Sequence, residues 1–158
     1  MAVLDGYLIK PDDNILIASD HAGLELKEIF SQFLIAEKYR VIDLGPNSSK
    51  SVDYPDYAYK LAGYISNGTA KAGVLICGTG IGISIAANRW LDVRAALVHN
   101  TQTAISARQH NDANVMAIGA RILNTENALA CLDSFLSSKF EGGRHLTRVE
   151  KLKEKPTY

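Results

Sequence analysis

The sequence predicts an α/β protein in which a parallel β-sheet is covered by helices on both faces. Five short apolar runs rich in β-branched residues recur along the chain, and stretches with helical spacing of apolar residues separate them. Near-continuous apolar strands are typical of parallel sheets, because both faces of such a sheet are buried. The alternation of these strands with amphipathic stretches indicates five successive β-α units.

The predicted strands are short enough to be quoted in full. They are NILIAS (14–19), RVIDLG (40–45), AGVLIC (72–77), VRAALV (93–98) and NVMAIG (114–119). Helical spacing is clear after the first strand, at Leu24, Leu26, Ile29, Phe30, Phe33 and Leu34, and after the second, at Tyr57, Leu61, Tyr64 and Ile65. The helix of the last unit is expected at about 125–138.

Both ends of the chain depart from this repeating pattern. Residues 1–13 are expected to form a loose arm or short extension before the first strand. The tail, FEGGRHLTRVEKLKEK, has a Gly-Gly break followed by a short, highly charged helical pattern, which predicts a tail helix over 142–158. A helix with few apolar positions is poorly stabilised alone, so we expect this one to dock on another surface, for which a second subunit is a candidate.

Length and charge narrow the class of protein. A chain of 158 residues has the usual size of one domain and can bury a full core without disulfide or metal staples. Its 17 basic and 17 acidic side chains cancel, and the cations are scattered apart from three lysines near the end, so nucleic acid is not an expected partner. The first residues lack a signal-peptide pattern and no segment approaches the roughly 18 apolar residues of a membrane span, which predicts a cytoplasmic location.

The two cysteines, Cys77 and Cys131, are far apart in the sequence and have neither a CxxC nor a Cys/His ligand spacing. This spacing argues against a disulfide framework and against a structural zinc site. Cys131 lies within NALACLDSFL on a predicted helix and is expected to pack as a small hydrophobic residue. Cys77 instead ends the third strand, directly before a glycine-rich turn.

The stretch CGTGIGISIAANR (77–89) places three glycines in five positions between this strand and a helix of small residues. Backbone N–H groups in such a turn can converge on an anion, and they favour the thiolate of a neighbouring cysteine. Ile83 stands where a dinucleotide motif needs glycine and where a cysteine-phosphatase loop needs arginine, and the Gly-Lys-Ser/Thr of a Walker motif is absent. Cys77 therefore suits a base or a nucleophile, with a merely buried strand-end cysteine as the alternative.

Polar residues also follow the first two strands, at the edge where ligands bind in open parallel sheets. Asp20 and His21 lie directly before a helix, and Asp53 and Tyr54 precede Pro55 at the start of the next helix. Each pair is a candidate for a ligand site. Helix capping by the aspartates, together with a surface position for His21, is the alternative.

The later units add cationic and polar candidates. His99 follows the fourth strand, and His110-Asn111-Asp112 precedes the fifth, where a simple helix C-cap is the alternative. Arg121 follows the fifth strand, and Arg144 and Arg148 stand four apart in the tail. Two guanidinium groups at helical spacing repel each other unless an anion binds between them, and a phosphate suits them well. A plain solvated helix is the alternative for this pair, and a solvated arginine is the alternative for Arg121.

Six motifs occur in a characteristic order and spacing: SDHAG, DYPDYA, CGTGIGISIAANR, RQHNDANV, GAR and EGGRHLTRVE. From about residue 14 to 150 the chain thereby resembles the ribose-5-phosphate isomerase B family, which also includes allose- and galactose-phosphate isomerases. The resemblance implies a Rossmann-like three-layer α/β/α sandwich and one sugar-phosphate isomerase domain over 1–158. It also implies aldose–ketose isomerisation through a cis-enediolate, without a metal or another cofactor.

The resemblance assigns roles to the matched positions. Cys77 would be the base that moves the proton between C1 and C2, and Thr79 and the 78–82 amides would stabilise the enediolate. His110 would open the furanose ring as a general acid/base. The positions expected to contact substrate are Asp20, His21, Asp53, Tyr54, Gly78, Gly80, Ile81, Gly82, Asn111, Arg121, Arg144 and Arg148. Some relatives replace the thiol by a glutamate six positions later; Ile83 makes this chain resemble the cysteine type.

The resemblance also implies an active site between two subunits, to which His110, Asn111 and the tail arginines come from the partner. A homodimer, or a tetramer made of dimers, is therefore expected. The leading hypothesis is interconversion of D-ribose 5-phosphate and D-ribulose 5-phosphate in the pentose phosphate pathway. The alternatives are a hexose 6-phosphate isomerase, a non-catalytic module that binds a sugar phosphate or nucleotide, and thiol redox sensing at Cys77.

Overall fold

A computed structural model describes residues 6–157 and contains a sheet of five strands, each parallel to its neighbours. The strands are β1 (Asn14–Ser19), β2 (Arg40–Asp43), β3 (Ala72–Cys77), β4 (Ala95–Leu97) and β5 (Val115–Gly119). The predicted α/β class and the five parallel strands are confirmed. The shortest strand, β4, lies at an edge of the sheet, and the N–H of Arg94 before it donates to the side-chain oxygen of Asn114 (2.8 Å) instead of to a strand partner.

In the described part of the chain, six α-helices and two short 3-10 turns connect or follow these strands. The helices are α1 (Leu24–Ala36), α2 (Tyr54–Ser66), α3 (Ile81–Ala87), α4 (Thr101–Asn111), α5 (Thr125–Ser137) and α6 (Leu146–Leu152). The 3-10 turns His21–Gly23 and Gly143–His145 lead into α1 and α6. Within residues 6–157, every helix is too short or too polar to cross a membrane.

The helices form a layer on each face of the sheet. Alternate residues of a strand point to opposite faces, so Ile15 and Ile17 of β1 pack with α1, α4 and α5, whereas Leu16 and Ala18 pack with α2 and α3. The same alternation places Cys77, the last residue of β3, on the face covered by α2 and α3. The three-layer α/β/α arrangement is therefore the one expected.

The strand order, β2-β1-β3-β5-β4, positions the candidate site. The chain leaves β1 toward β2 on one side and later returns to the other side of β1 as β3. Such a reversal opens a crevice at the carboxyl ends of the two central strands, where ligands bind in open α/β sheets. The N–H of Asp20 donates to the carbonyl of Ile76 (3.0 Å) across this point, so the two strand ends are held together.

The described part of the N-terminal arm is packed against the domain. Ile9 is only 4% exposed and belongs to the core on the α1/α5 face. The N–H of Phe140 donates to the carbonyl of Gly6 (2.9 Å), and the N–H of Asp12 donates to the carbonyl of Lys38 (2.9 Å). Of the two expectations for this arm, residues 6–13 therefore match a short extension and not a loose arm, and residues 1–5 lie outside the described part.

The tail helix is shorter than the 142–158 pattern predicts. Gly142 and Gly143 have φ of +63° and +52°, a conformation that interrupts a right-handed helix, and α6 covers only Leu146–Leu152. The N–H of Glu141 donates to the carbonyl of Gln109 (3.1 Å), and Val149 is 2% exposed, so the tail packs on its own chain. Docking of this helix on a partner subunit stays a prediction, and residue 158 is outside the described part.

Candidate active site

The turn after β3, residues 77–82, holds the Cys77 thiol among backbone N–H groups. The Cys77 side chain is buried, and its Sγ accepts a hydrogen bond from the N–H of Gly80 at 3.1 Å. Gly80 has φ of +77°, and a Cβ there would lie 2.6 Å from Cδ1 of Leu97 and 2.8 Å from the carbonyl carbon of Ile118. Only glycine fits this position, so the turn that aims an N–H at the sulfur depends on Gly80.

Thr79 lies at the mouth of the same turn. Its side chain is exposed, and its Oγ1 accepts a hydrogen bond from the N–H of Ile81 at 3.2 Å. The sulfur of Cys77 and the hydroxyl of Thr79 thus each engage an amide at the start of α3. A developing negative charge in this turn would meet N–H donors and a hydroxyl together, which is the arrangement of an oxyanion hole.

Arg121 brings a positive charge to the turn from the end of β5. Its backbone N–H donates to the carbonyl of Gly78 (3.0 Å), and the N–H of Ala120 donates to the carbonyl of Cys77 (2.9 Å). A Cβ on Gly78 would lie 3.2 Å from Nη1 of Arg121, so the guanidinium lies directly over this glycine. The exposed Arg121 side chain is therefore available to an anion bound at the turn.

The loop after β2 and the start of α2 supply a second wall. The ring of Tyr54 lies against Gly82, where a Cβ would be 2.5 Å from the ring Cζ. Nδ1 of His21 accepts a hydrogen bond from the N–H of Val52 (3.2 Å), which leaves the ring proton on Nε2. Asp53 occupies the N-cap position of α2, but its side chain makes no capping hydrogen bond. The capping interpretation of Asp53 is therefore wrong, and its exposed carboxylate is free to face a ligand.

Asp20 behaves as a helix cap. Its Oδ1 accepts hydrogen bonds from the N–H groups of Ala22 (2.9 Å) and Gly23 (3.2 Å), and the side chain is buried. The capping interpretation is confirmed for this aspartate. The same hydrogen bonds fix the carboxylate beside the end of β3, so capping does not exclude a role in binding substrate.

A second group, the tail cluster, consists of the predicted site residues His110, Asn111, Arg144 and Arg148 together with His145. The rings of His110 and His145 stack with their centroids 4.4 Å apart and their planes 14° from parallel. Nη1 of Arg148 donates to the backbone carbonyl of Arg144 (2.8 Å), and both arginine side chains are exposed. Desolvation lowers the pKa of His145, and His110 and Arg144 lower that pKa further.

The two arginines of the tail cluster do not lie on one helix as their spacing predicts. Arg144 is in the 3-10 turn and Arg148 is in α6. They are nevertheless adjacent, because the backbone of one receives a hydrogen bond from the other.

The structure places the two groups of site residues at opposite ends of the strands. Cys77 is in register with Gly119 at the carboxyl end of β5, whereas α4, which carries His110 in its last turn, leads into the amino end of β5 at Val115. Gly119 and Val115 are four residues apart, or about 13 Å along a strand. One chain alone therefore does not bring His110 and Asn111 next to the Cys77 thiol.

Sequence reasoning missed a buried ionic network next to the tail cluster. Arg108 is 1% exposed, and its Nη1 donates to Oδ1 of Asp112 (2.8 Å) and to the carbonyl of Ala113 (2.6 Å). Oδ2 of the same carboxylate accepts from Nη2 of Arg94 (3.1 Å). Asp112 is the C-cap of α4, with φ of +45°, so it ends the helix just after His110 and Asn111. Burial lowers the pKa of Arg108, and the Asp112 carboxylate opposes that effect.

His145 was also missed as an individual residue, although the motif that contains it was recognised. Its proximity to His110 depends on the turn at Gly142 and Gly143, and no spacing rule reveals it. Cys131, in contrast, is buried in the core as expected, and burial raises the pKa of its thiol.

A parallel α/β sheet with a thiol, N–H donors and an arginine at its switch point defines a small-molecule site suited to acid/base chemistry on an anion. The family model described as Ribose/Galactose Isomerase matches residues 15–152, and the chain belongs to that family. It is 48% identical over 139 residues to a probable ribose-5-phosphate isomerase B of Mycoplasma pneumoniae, covering 87% of this chain and 91% of the relative.

Solved structures agree with this relationship. A ribose-5-phosphate isomerase B from Clostridium thermocellum superposes with a TM-score of 0.87 at 46% identity, covering 89% of this chain and 95% of that one. The enzyme from Mycoplasma genitalium, solved with bound ribulose-5-phosphate, has a TM-score of 0.86 at 45% identity and covers 89% and 93%. The expected family membership and fold are therefore confirmed.

Proposed function

We propose that the chain interconverts D-ribose 5-phosphate and D-ribulose 5-phosphate, with the Cys77 thiol as the base. The observation that carries the proposal is the contact of the Cys77 sulfur with the N–H of Gly80 at 3.1 Å, beside Arg121, in a chain of the isomerase family. The N–H of Gly80 points at this sulfur, so the turn is placed to stabilise the negative charge of the sulfur when it acts as a base toward carbon.

The chemistry follows from the acidity of a carbon next to a carbonyl. In the open-chain aldose, the Cys77 thiolate takes the proton from C2, and the electron pair moves through C1 to O1. The N–H groups of the turn and the Thr79 hydroxyl stabilise the resulting cis-enediolate. A proton passes from O2 to O1, and the Cys77 thiol returns its proton to C1, which gives the ketose.

His110 opens the furanose ring in this proposal, because the closed sugar has no carbonyl to acidify C2. Its imidazole moves a proton between the anomeric hydroxyl and the ring oxygen. Asp20, His21, Asp53, Tyr54 and Asn111 then bind sugar hydroxyls, and Arg121, Arg144 and Arg148 bind the phosphate.

We assign His110, Asn111, Arg144 and Arg148 to the partner subunit's site in a homodimer or a dimer of dimers. The separation of the two groups across the sheet supports this assignment, because one chain leaves each group incomplete. A groove of about 550 Å³ beside the edge strand β4 supports it too. Trp90, Leu91 and Leu152 line this groove and are 39%, 49% and 53% exposed, which suits burial by a second copy. A single domain over 1–158 and a cytoplasmic location remain predictions.

The test is turnover of the purified full-length chain on D-ribose 5-phosphate, with and without EDTA. Formation of ribulose 5-phosphate that survives EDTA supports the proposal. Absence of turnover, or turnover abolished by EDTA, contradicts it. Allose 6-phosphate and galactose 6-phosphate are assayed in parallel, because the family includes galactose isomerases. If kcat/KM is higher on one of these hexose phosphates than on ribose 5-phosphate, that hexose phosphate is the preferred substrate.

A further inference from the structure

Three potential metal ligands converge in the tail: His110, Glu141 and His145. One ligand atom from each lies within 4.8 Å of the other two. Nε2 of His145 is 3.7 Å from Oε2 of Glu141, and the His145 ring stacks on His110. The three side chains come from the last turn of α4 and from the segment that precedes α6.

The backbone holds this cluster together. The hydrogen bond from the N–H of Glu141 to the carbonyl of Gln109 ties the tail to the last turn of α4, one residue before His110. Gly142 and Gly143 then reverse the chain at positive φ, and the N–H of His145 donates to the carbonyl of Gly142 (2.9 Å). A side chain at either glycine would strain this turn, so the two glycines permit the reversal that brings His145 back toward Glu141.

Two imidazoles and one carboxylate form a donor set that zinc and similar transition metals prefer, with a fourth position left to water or substrate. Zinc binds these donors at about 2.0–2.2 Å, which sets neighbouring ligand atoms about 3.3 Å apart on a tetrahedron. The distance of 3.7 Å between Nε2 of His145 and Oε2 of Glu141 is close to this value, and the ligand atoms of all three residues lie within 4.8 Å of one another, so small side-chain rotations would bring them onto one ion. Glu141 is exposed and free to turn and His110 is partly exposed, whereas the His145 side chain is only 12% exposed and holds the position on which the other two converge.

We propose that His110, Glu141 and His145 form a site for a divalent transition metal, and that a metal bound there inhibits the enzyme. Inhibition follows because a coordinated His110 has no lone pair left for proton transfer at the ring oxygen. The inhibitory consequence rests on the proposed function, in which His110 opens the sugar ring. Metal binding by the three side chains does not depend on that function.

Binding is tested first, on the full-length chain without substrate. Titration with Co²⁺, followed by its visible absorption bands and by calorimetry, is expected to show one ion per chain, displaced by Zn²⁺. Glu141→Gln should weaken binding at least tenfold, since loss of even an outer-shell partner costs about 10- to 100-fold. Glu28→Gln, which changes another exposed carboxylate on α1, should leave the affinity unchanged. Equal affinities for wild type and Glu141→Gln, or binding lost only in Cys77→Ser, would overturn the site.

Inhibition is tested second, by adding Zn²⁺ to the isomerase assay. Wild type is expected to lose turnover and to recover it with EDTA. The Glu141→Gln variant should keep its turnover at Zn²⁺ concentrations that inhibit wild type, because Glu141 belongs only to the metal site. Equal inhibition of both proteins contradicts the proposal. If the chain lacks isomerase activity, the Co²⁺ titration still decides whether the site exists.

Discussion

The ring of Tyr54, the first residue of α2, lies directly on the backbone of Gly82 in α3. A Cβ added to Gly82 would be 2.5 Å from Cζ and 2.8 Å from Oη of that ring. The absence of a side chain at position 82 therefore lets the tyrosine close over the thiol-bearing turn. The contact joins two helices on the same face of the sheet at the edge of the candidate site.

Gly82→Ala is expected to push the Tyr54 ring away from the turn. The forced displacement should lower the free energy of unfolding by about 1–3 kcal/mol, as overpacking usually does. It should also raise KM for ribose 5-phosphate, because Tyr54 loses its position over the site. Urea unfolding and steady-state kinetics measure the two effects.

A double-mutant cycle identifies the cause of that effect. In a Tyr54→Ala background, Gly82→Ala should cost far less stability, because the clashing ring is gone. Gly63→Ala is the matched control, since a Cβ there meets only Trp90 at 3.8 Å. This α2 substitution should be neutral or should stabilise the protein by up to about 1 kcal/mol. Equal costs of Gly82→Ala in both backgrounds would show that the ring is not responsible.

The two cysteines provide a matched pair for testing the proposed base. Cys77→Ala should lower kcat by about 10²- to 10⁴-fold, the usual contribution of a general base, with little change in KM. Cys131→Ala changes an equally buried thiol in the core on the α1/α5 face and should keep kcat near that of wild type. Undiminished turnover by Cys77→Ala would instead favour a binding module or another base.

The sequence was sufficient to predict the strands and the thiol-bearing turn, because both depend on local patterns. Apolar runs locate every strand end to within two residues, and the glycine spacing around Cys77 marks the turn. The insertion of β5 between β3 and β4 could not be predicted, since strand order depends on tertiary packing. The length of α6 was overestimated because charged residues after Leu152 fit a helical pattern but bury nothing there.

Buried charges were also beyond prediction from the sequence. Lys27 on α1 is 1% exposed, and its Nζ lies 2.6 Å from Oδ1 of Asp43 and 2.9 Å from the carbonyl of Pro46. Lysine and arginine normally lie at the surface, so the sequence alone predicts exposed positions for Lys27 and Arg108. The partner of Lys27, Asp43, lies on another element, and the partner of Arg108, Asp112, is placed by the left-handed conformation that ends α4. Both contacts form only when the chain folds.

Asp112→Asn is expected to destabilise the protein by leaving Arg108 without its counter-charge. Asparagine tolerates the left-handed conformation at φ +45°, so the substitution removes the charge without straining the backbone. We expect a loss of about 2 kcal/mol in the free energy of unfolding, below the roughly 3–5 kcal/mol of a fully buried pair. The smaller value reflects the 29% exposure of the Asp112 side chain.

Removal of the buried arginine tests the origin of that loss. Arg108→Met replaces the guanidinium by an apolar side chain, a change that is often tolerated in buried ion pairs. In this background, Asp112→Asn should cost much less than in wild type, as measured by chemical denaturation. If Asp112→Asn lowers the free energy of unfolding equally in both backgrounds, the loss comes from the contact with Arg94 or from the end of α4, and not from Arg108.

Arg148→Ala is expected to act on substrate binding more than on the chemical step. A hydrogen bond to a charged group contributes about 1.5–3 kcal/mol, so KM for ribose 5-phosphate should rise by about 10- to 150-fold. Arg40→Ala, which removes another exposed arginine at the start of β2, should leave KM unchanged. A fall in kcat at constant KM would contradict a role in holding the phosphate.

Mixing two inactive variants tests whether the site is shared between subunits. In the proposed dimer, each site takes Cys77 from one chain and His110 from the other. When Cys77→Ala and His110→Ala chains exchange subunits at equal concentrations, half of the dimers are mixed. Each mixed dimer has one intact site, so activity should recover to about a quarter of the wild-type value.

A second mixture is the control for recovery of activity that does not come from a site shared between subunits. Cys77 and Arg121 belong to the same edge of one chain, as the guanidinium over Gly78 shows. Mixing Cys77→Ala with Arg121→Ala therefore restores no site, because every site receives one of the two substitutions. Recovery in the first mixture alone requires His110 to act on the sugar held by the other chain. Recovery in neither mixture would mean that His110 and Cys77 reach the substrate from the same chain, against their placement at opposite ends of β5.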